Sequence, residues 1–149
     1  MNIRIKNCRN KRLKVLIDEA VTYYASKLMH RNLTRNITLT IKMKRMKDCY
    51  GMCHATQHNK QGVPRNFVLT ISPYGEDPIA TLAHEMIHVK QFAKGELSQC
   101  LTYWKGKEIN EDTEYRKQPW EKEAYANDIG LYLRFLDASK NISYHPLKI

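Results

Sequence analysis

"TLAHEMIHVKQ", residues 81–91, decides how the rest of the chain is read. His84 and His88 stand four apart, and on a helix that spacing puts two side chains on one face, one turn along the axis. Two imidazoles so placed can meet a single tetrahedral zinc ion. Glu85 follows the first histidine, set to reach a water on such an ion rather than to ligate beside the pair. This is the HExxH pattern, in which the glutamate is the general base. Met86, Ile87 and Val89 are apolar, so the helix is read as mostly buried. Burying two histidines and a glutamate without a partner costs on the order of several kcal/mol, a difficulty that a metal removes. The bland alternative is an amphipathic helix whose histidines are merely hydrogen-bonded. Against it stands a well-delimited helix from about Ile79 to Lys94, with Asp77 to cap it, Pro78 at its first position and Gly95 as terminator.

Working outward, residues 10–30 carry Leu13, Leu16, Ile17, Ala20, Val21, Tyr24 and Leu28 at helical spacing. "NITLTIKMKRM" then alternates Ile37, Leu39, Ile41 and Met43 with Thr38, Thr40, Lys42 and Lys44, the pattern of a half-buried strand. Residues 49–57 and "RNFVLTIS" (65–72) read as two more strands, and "YWKGKEI" as a hairpin around Gly106. A last helix is expected over residues 119–138. The expected class is α+β: an N-terminal helix, a small three- or four-stranded sheet, the HExxH helix and a C-terminal helix.

A catalytic zinc site wants a third protein ligand, its fourth position being left to water. Glu96, Glu108, Glu111, Asp112, Glu114, Glu121, Glu123, Asp128 and His145 all follow the motif, most of them in loop-like sequence. The exception is "PWEKEAYANDIGLYL" (119–133). Glu123 adjoins Ala124 and lies a turn from Trp120 and Asn127, so it is expected to face the core and supply the third ligand. Glu121, about 200° away around the helix, is expected on the outer face and is the alternative.

"HEMIH" followed by "EKEAYAND" resembles the gluzincin metallopeptidases in their minimal single-domain form, and more distantly the SprT-like peptidases. The latter carry a third histidine and often a four-cysteine ribbon, which this chain lacks. The resemblance implies one zincin-like domain over residues 1–149 and a zinc-dependent endopeptidase acting on a peptide or protein. Its metal ligands would be His84, His88 and Glu123, with Glu85 as the catalytic base. Glu123-Ala124 matches the glutamate of the family's E-A-x-x-D pattern. Where that pattern has an aspartate orienting a zinc-bound histidine, this chain has Asn127, with Asp128 next to it. Families of this type hold substrate extended along a strand edge, for which "RNFVLTIS" is the expected strand. Tyr115, Arg116, Tyr144 and His145 are alternatives for an oxyanion donor, and residues 139–149 for a tail that blocks the site.

Composition sets the remaining bounds. The chain of 149 residues is 42% hydrophobic and 27% charged, ordinary for a globular domain, and no run of 18 apolar residues suggests a membrane span. "MNIRIKNCRNKRLK" lacks the apolar stretch of a signal peptide, so a cytoplasmic location is expected. Cys8, Cys49, Cys53 and Cys100 form no CxxC array and are expected to be thiols. Cys49, Cys53, His54 and His58 have a spacing that fits no standard zinc ribbon, which disfavours a second metal site. The net charge of +10 permits contact with nucleic acid, but its basic residues read as scattered and no reading motif accompanies them. The alternative function is therefore a basic nucleic-acid- or protein-binding module with a structural or vestigial zinc site, or a peptidase localised to DNA.

Overall fold

The computed structural model describes residues 1–58 and 62–139. Elements follow in the order β1 (Asn2–Lys6), α1 (Lys11–Leu28), α2 (Arg31–Thr34), β2 (Thr38–Met43), β3 (Gly51–His58), β4 (Pro64–Ile71) and α3 (Pro78–Ala93). The short hairpin β5 (Tyr103–Trp104) and β6 (Lys107–Glu108) and the long α4 (Pro119–Ala138) complete them. The arrangement is α+β, as expected. Among the described residues no helix is long and apolar enough to cross a membrane.

Strand order in the main sheet is β1-β2-β4-β3, with β1, β2 and β4 parallel and β3 antiparallel to β4. Alternation turns Leu39, Ile41 and Met43 of β2, and Phe67, Leu69 and Ile71 of β4, to one side. There they form a single core with the buried residues of α1, α3 and α4, so the long helices all lie on one face of the sheet.

Two features depart from the sequence reading. β1 was not anticipated, because three of its five residues are polar or basic and only Ile3 and Ile5 turn towards the core. "RNFVLTIS" is not an edge: β4 lies between β2 and β3, and it is β3 that forms the border on that side. β4 is flanked on both sides because β2 joins it in parallel, a pairing that no local pattern announces.

The helix ends are pinned by side chains. Asn10 Oδ1 accepts from the Leu13 amide at 3.1 Å, and Asp77 Oδ1 from the Ile79 amide at 3.0 Å, each such cap contributing about 1 kcal/mol. The other Asp77 oxygen accepts from the Tyr132 hydroxyl, tying the start of α3 to α4. Tyr24 of α1 donates to the Ile79 carbonyl at 2.9 Å. At the far end of α3, Arg65 of β4 donates to the Ala93 carbonyl at 2.9 Å, a cation placed where the helix dipole is negative. Gly95, at φ 71°, then turns the chain, and the Glu96 amide closes onto the Gln91 carbonyl. α3 is buried on nearly all sides, held by α1, α4, β3 and β4.

Candidate metal centre

α3 presents His84 and His88 to α4, their rings 4.9 Å apart at 81°. Opposite them stands Glu121, from the first turn of α4. One of its carboxylate oxygens lies 3.2 Å from His84 Nε2 and the other 3.3 Å from His88 Nε2. The candidate ligand atoms of these three residues all fall within 4.8 Å of one another. His88 and Glu121 are buried and His84 nearly so.

The far nitrogen of each ring is also held. His84 Nδ1 is 3.0 Å from Asp128 Oδ2, an acceptor only when ionised, so this nitrogen carries the proton. His88 Nδ1 is 2.8 Å from Gln91 Oε1. The orientation of that amide follows from its other end, because Gln91 Nε2 donates both to the Trp120 carbonyl at 3.0 Å and to Glu123 at 2.7 Å. Each imidazole is thereby held through Nδ1 and turns Nε2 to Glu121, so Nε2 is the nitrogen that would meet a metal once its proton is displaced.

Electrostatics agree with a site made for a cation. Burial acts to lower the pKa of His84, but hydrogen bonds to Glu121 and Asp128 and the charge of Glu85 raise it to about 9. For His88, too, burial is outweighed by Glu121 and Glu85, and its pKa rises. Burial would raise Glu121, yet the two imidazoles and the Tyr115 hydroxyl bring it down to about 2. Three carboxylates, Glu85, Glu121 and Asp128, thus surround two imidazoles, and a divalent ion would satisfy the charge that otherwise draws protons onto the rings. The donor set of two imidazoles and one carboxylate fits zinc, although magnesium or calcium would want more oxygen ligands.

Glu85 is buried on the β3 side of α3. Burial raises its pKa, opposed by the charges of His88 and His84. β3 begins directly against it: a Cβ on Gly51 would fall 2.5 Å from Thr81 Cγ2 and 2.6 Å from Glu85 Oε1. The absence of a side chain at Gly51 lets the strand lie this close to Glu85, a feature that the sequence reading missed.

Glu123, the expected third ligand, is not in the cluster. Its carboxylate accepts from Lys90 Nζ at 3.0 Å and from Gln91 Nε2, with Lys105 Nζ at 3.9 Å. It therefore stands behind His88, through Gln91, rather than beside the histidines. Glu121, expected outside, is buried and in contact with both. Asn127 donates to the Glu123 carbonyl, and it is Asp128 that orients a histidine. The missed signal is the spacing of Glu121 and Asp128: seven residues is nearly two turns, so these two acids share one flank of α4.

Of the proposed oxyanion donors, Tyr115 lies in a single 3-10 turn (Tyr115–Lys117) just before α4. Partial burial raises the pKa of its hydroxyl, as do the charge of Glu121 and a hydrogen bond to it. Arg116 stacks 5.2 Å above the Tyr125 ring, which itself lies 4.7 Å from His84. Tyr144, His145 and most of the tail 139–149 lie outside the described residues. So does the side chain of His58. Cys53 and His54 turn to opposite faces of β3, and burial, then the charge of Glu85, pushes the Cys53 thiol well up. The Cys49 thiol lies 3.9 Å from the Met46 sulfur. Among the described residues these cysteines and His54 join no metal-holding group.

Comparison with family models, with curated proteins and with solved structures returned no match.

Proposed function

We propose that the chain is a zinc-dependent endopeptidase of the gluzincin type, with His84, His88 and Glu121 as metal ligands and Glu85 as general base. The observation that carries this reading is the convergence of two Nε2 atoms and one carboxylate between α3 and α4, with Glu85 adjoining. When bound, zinc supplies Lewis-acid chemistry, polarising a carbonyl and lowering the pKa of water towards about 7.

The protein's own groups do the rest. Asp128 and Gln91 hold the histidine tautomers. Glu85, whose burial raises its pKa and so strengthens its carboxylate as a base, accepts a proton from the attacking water and returns it to the leaving amine. Tyr115, whose hydroxyl is near enough to Glu121 for each to shift the other's pKa, is the oxyanion donor in this reading. Edge strand β3 passes Glu85 at Gly51, so an extended peptide added to that edge would run by the base, held through backbone hydrogen bonds with little sequence preference.

The test pairs elemental analysis with cleavage of an unfolded protein substrate. On the order of one zinc per chain is expected, together with cleavage by the wild type that Glu85→Gln removes. A protein that takes up no zinc when supplied with it, or cleavage that survives Glu85→Gln, would overturn the reading.

A further inference from the structure

Charge is unevenly divided along this chain. Residues 1–47 hold thirteen lysines and arginines against two acids, a balance of +11; the remaining residues hold twelve against thirteen, a balance of −1. The whole net charge of +10 therefore comes from the segment that builds β1, α1, α2 and β2. None of those thirteen basic side chains forms an ion pair with a described carboxylate. The ion pairs among the described residues use Lys90, Lys105, Lys117 and the two metal-site histidines.

Pairing of β1 with β2 sets Lys6 beside Lys42 and Arg4 beside Thr40, all on the sheet face turned away from the helices. Lys44 continues that side just beyond β2 and is exposed. Alternate residues of a strand lie about 6.8 Å apart and adjacent strands about 4.8 Å, so these cations sit close together. No strand of the sheet contains an acidic residue. Cations on an edge strand can serve to block edge-to-edge pairing. That accounts for Arg4 and Lys6 on β1, but not for Lys42, which lies on an interior strand.

We propose that this sheet face, which no described element covers, is a docking surface for the phosphate backbone of duplex DNA, contacted without reading of bases. A duplex carries about one negative charge per 1.7 Å of axis, a density that matches closely set, unneutralised cations. Thr40 and Thr70 add neutral donors of the kind that meet phosphate oxygens. The described outward positions of the strands carry no Phe, Tyr or Trp, and His54 on β3 brings a single imidazole, so the face lacks the run of stacked aromatic platforms that single strands use. A-form RNA is recognised across its wide minor groove, for which a flat face without projections is poorly shaped. The His84–His88–Glu121 cluster lies on the helix side of the sheet, so a docked duplex leaves it open. The inference does not depend on the peptidase reading.

The test is fluorescence anisotropy of a labelled random-sequence duplex, titrated at several salt concentrations. The combined variant Arg4→Gln, Lys6→Gln, Lys42→Gln should bind about tenfold or more weakly and flatten the salt dependence by about two to three phosphate contacts. The control Lys94→Gln, Lys107→Gln, Lys117→Gln removes equal charge from exposed sites elsewhere and should change little. Glu121→Ala should bind the duplex as the wild type does, whatever its zinc content. If the first variant does not fold, as judged by far-ultraviolet circular dichroism, Arg4→Gln with Lys6→Gln on the exposed edge carries the same test. Absence of duplex binding, equal weakening by test and control variants, or tighter binding to single-stranded DNA, duplex RNA or poly-glutamate would each overturn the proposal.

Discussion

Glu121 and Glu123 lie two residues apart in the first turns of α4, and the helix sends them to opposite flanks. Glu121 meets two imidazole nitrogens and a tyrosine hydroxyl, with no lysine or arginine among the described residues in ion-pair contact. Glu123 is met by Lys90, by Gln91 and, at longer range, by Lys105. A carboxylate already neutralised by ammonium groups is a poor metal ligand, whereas one facing two imidazole nitrogens that can give up their protons to a metal is better placed to share a cation with them. One further residue on the flank of each repeats the division. Asp128, on the Glu121 side, orients His84; Asn127, on the Glu123 side, closes a local hydrogen bond within α4. One flank builds the candidate centre and the other braces it from behind.

The largest expected effect is that of Glu121→Ala, which should take the zinc content from on the order of one per chain to near zero and abolish cleavage. Elemental analysis decides this, and retained zinc in that variant would break the comparison outright. Glu85→Gln should keep the metal yet lower kcat by about 10²–10⁴-fold, the range for removing a general base. Loss of metal in that variant would instead recast Glu85 as a ligand. Asp128→Ala should weaken zinc affinity by about 10–100-fold, measured by competition with a chelator, because its loss frees the His84 ring and its tautomer. Glu123→Ala should do least. Its half-buried contacts with Lys90 are worth about 1 kcal/mol, read from a denaturation curve, while zinc stays bound. Were Glu123→Ala to lose the metal as Glu121→Ala should, the two flanks would be equivalent and the division described above would be wrong.

Much of this was legible in residues close together along the chain. The four-residue spacing of His84 and His88, the cap at Asp77, the turn at Gly95 and the extent of the last helix all follow from local geometry, and the structure has them. The third member of the cluster was not legible in the same way. Around α4, Glu121 and Glu123 each flank the apolar stripe of Trp120, Ala124, Leu131 and Phe135, one on either side. Periodicity names the stripe but is nearly symmetric about it. The pair Glu121 and Asp128 was the one local clue, since two acids on one flank suggest a single target.

By itself the sequence determined that α3 would be a buried helix offering two histidines and a glutamate, and that an acidic helix would follow it. Only the tertiary structure decided which flank of that helix meets the histidines. The roll of α4 about its own axis is set by how its apolar stripe seats against α3 and α1, a contact between segments far apart in the chain. The same reason places β3 rather than β4 at the sheet edge and brings β1 beside β2, gathering cations that look scattered in one dimension onto one face. Side-chain period fixes what shares a face, and long-range packing fixes what that face meets.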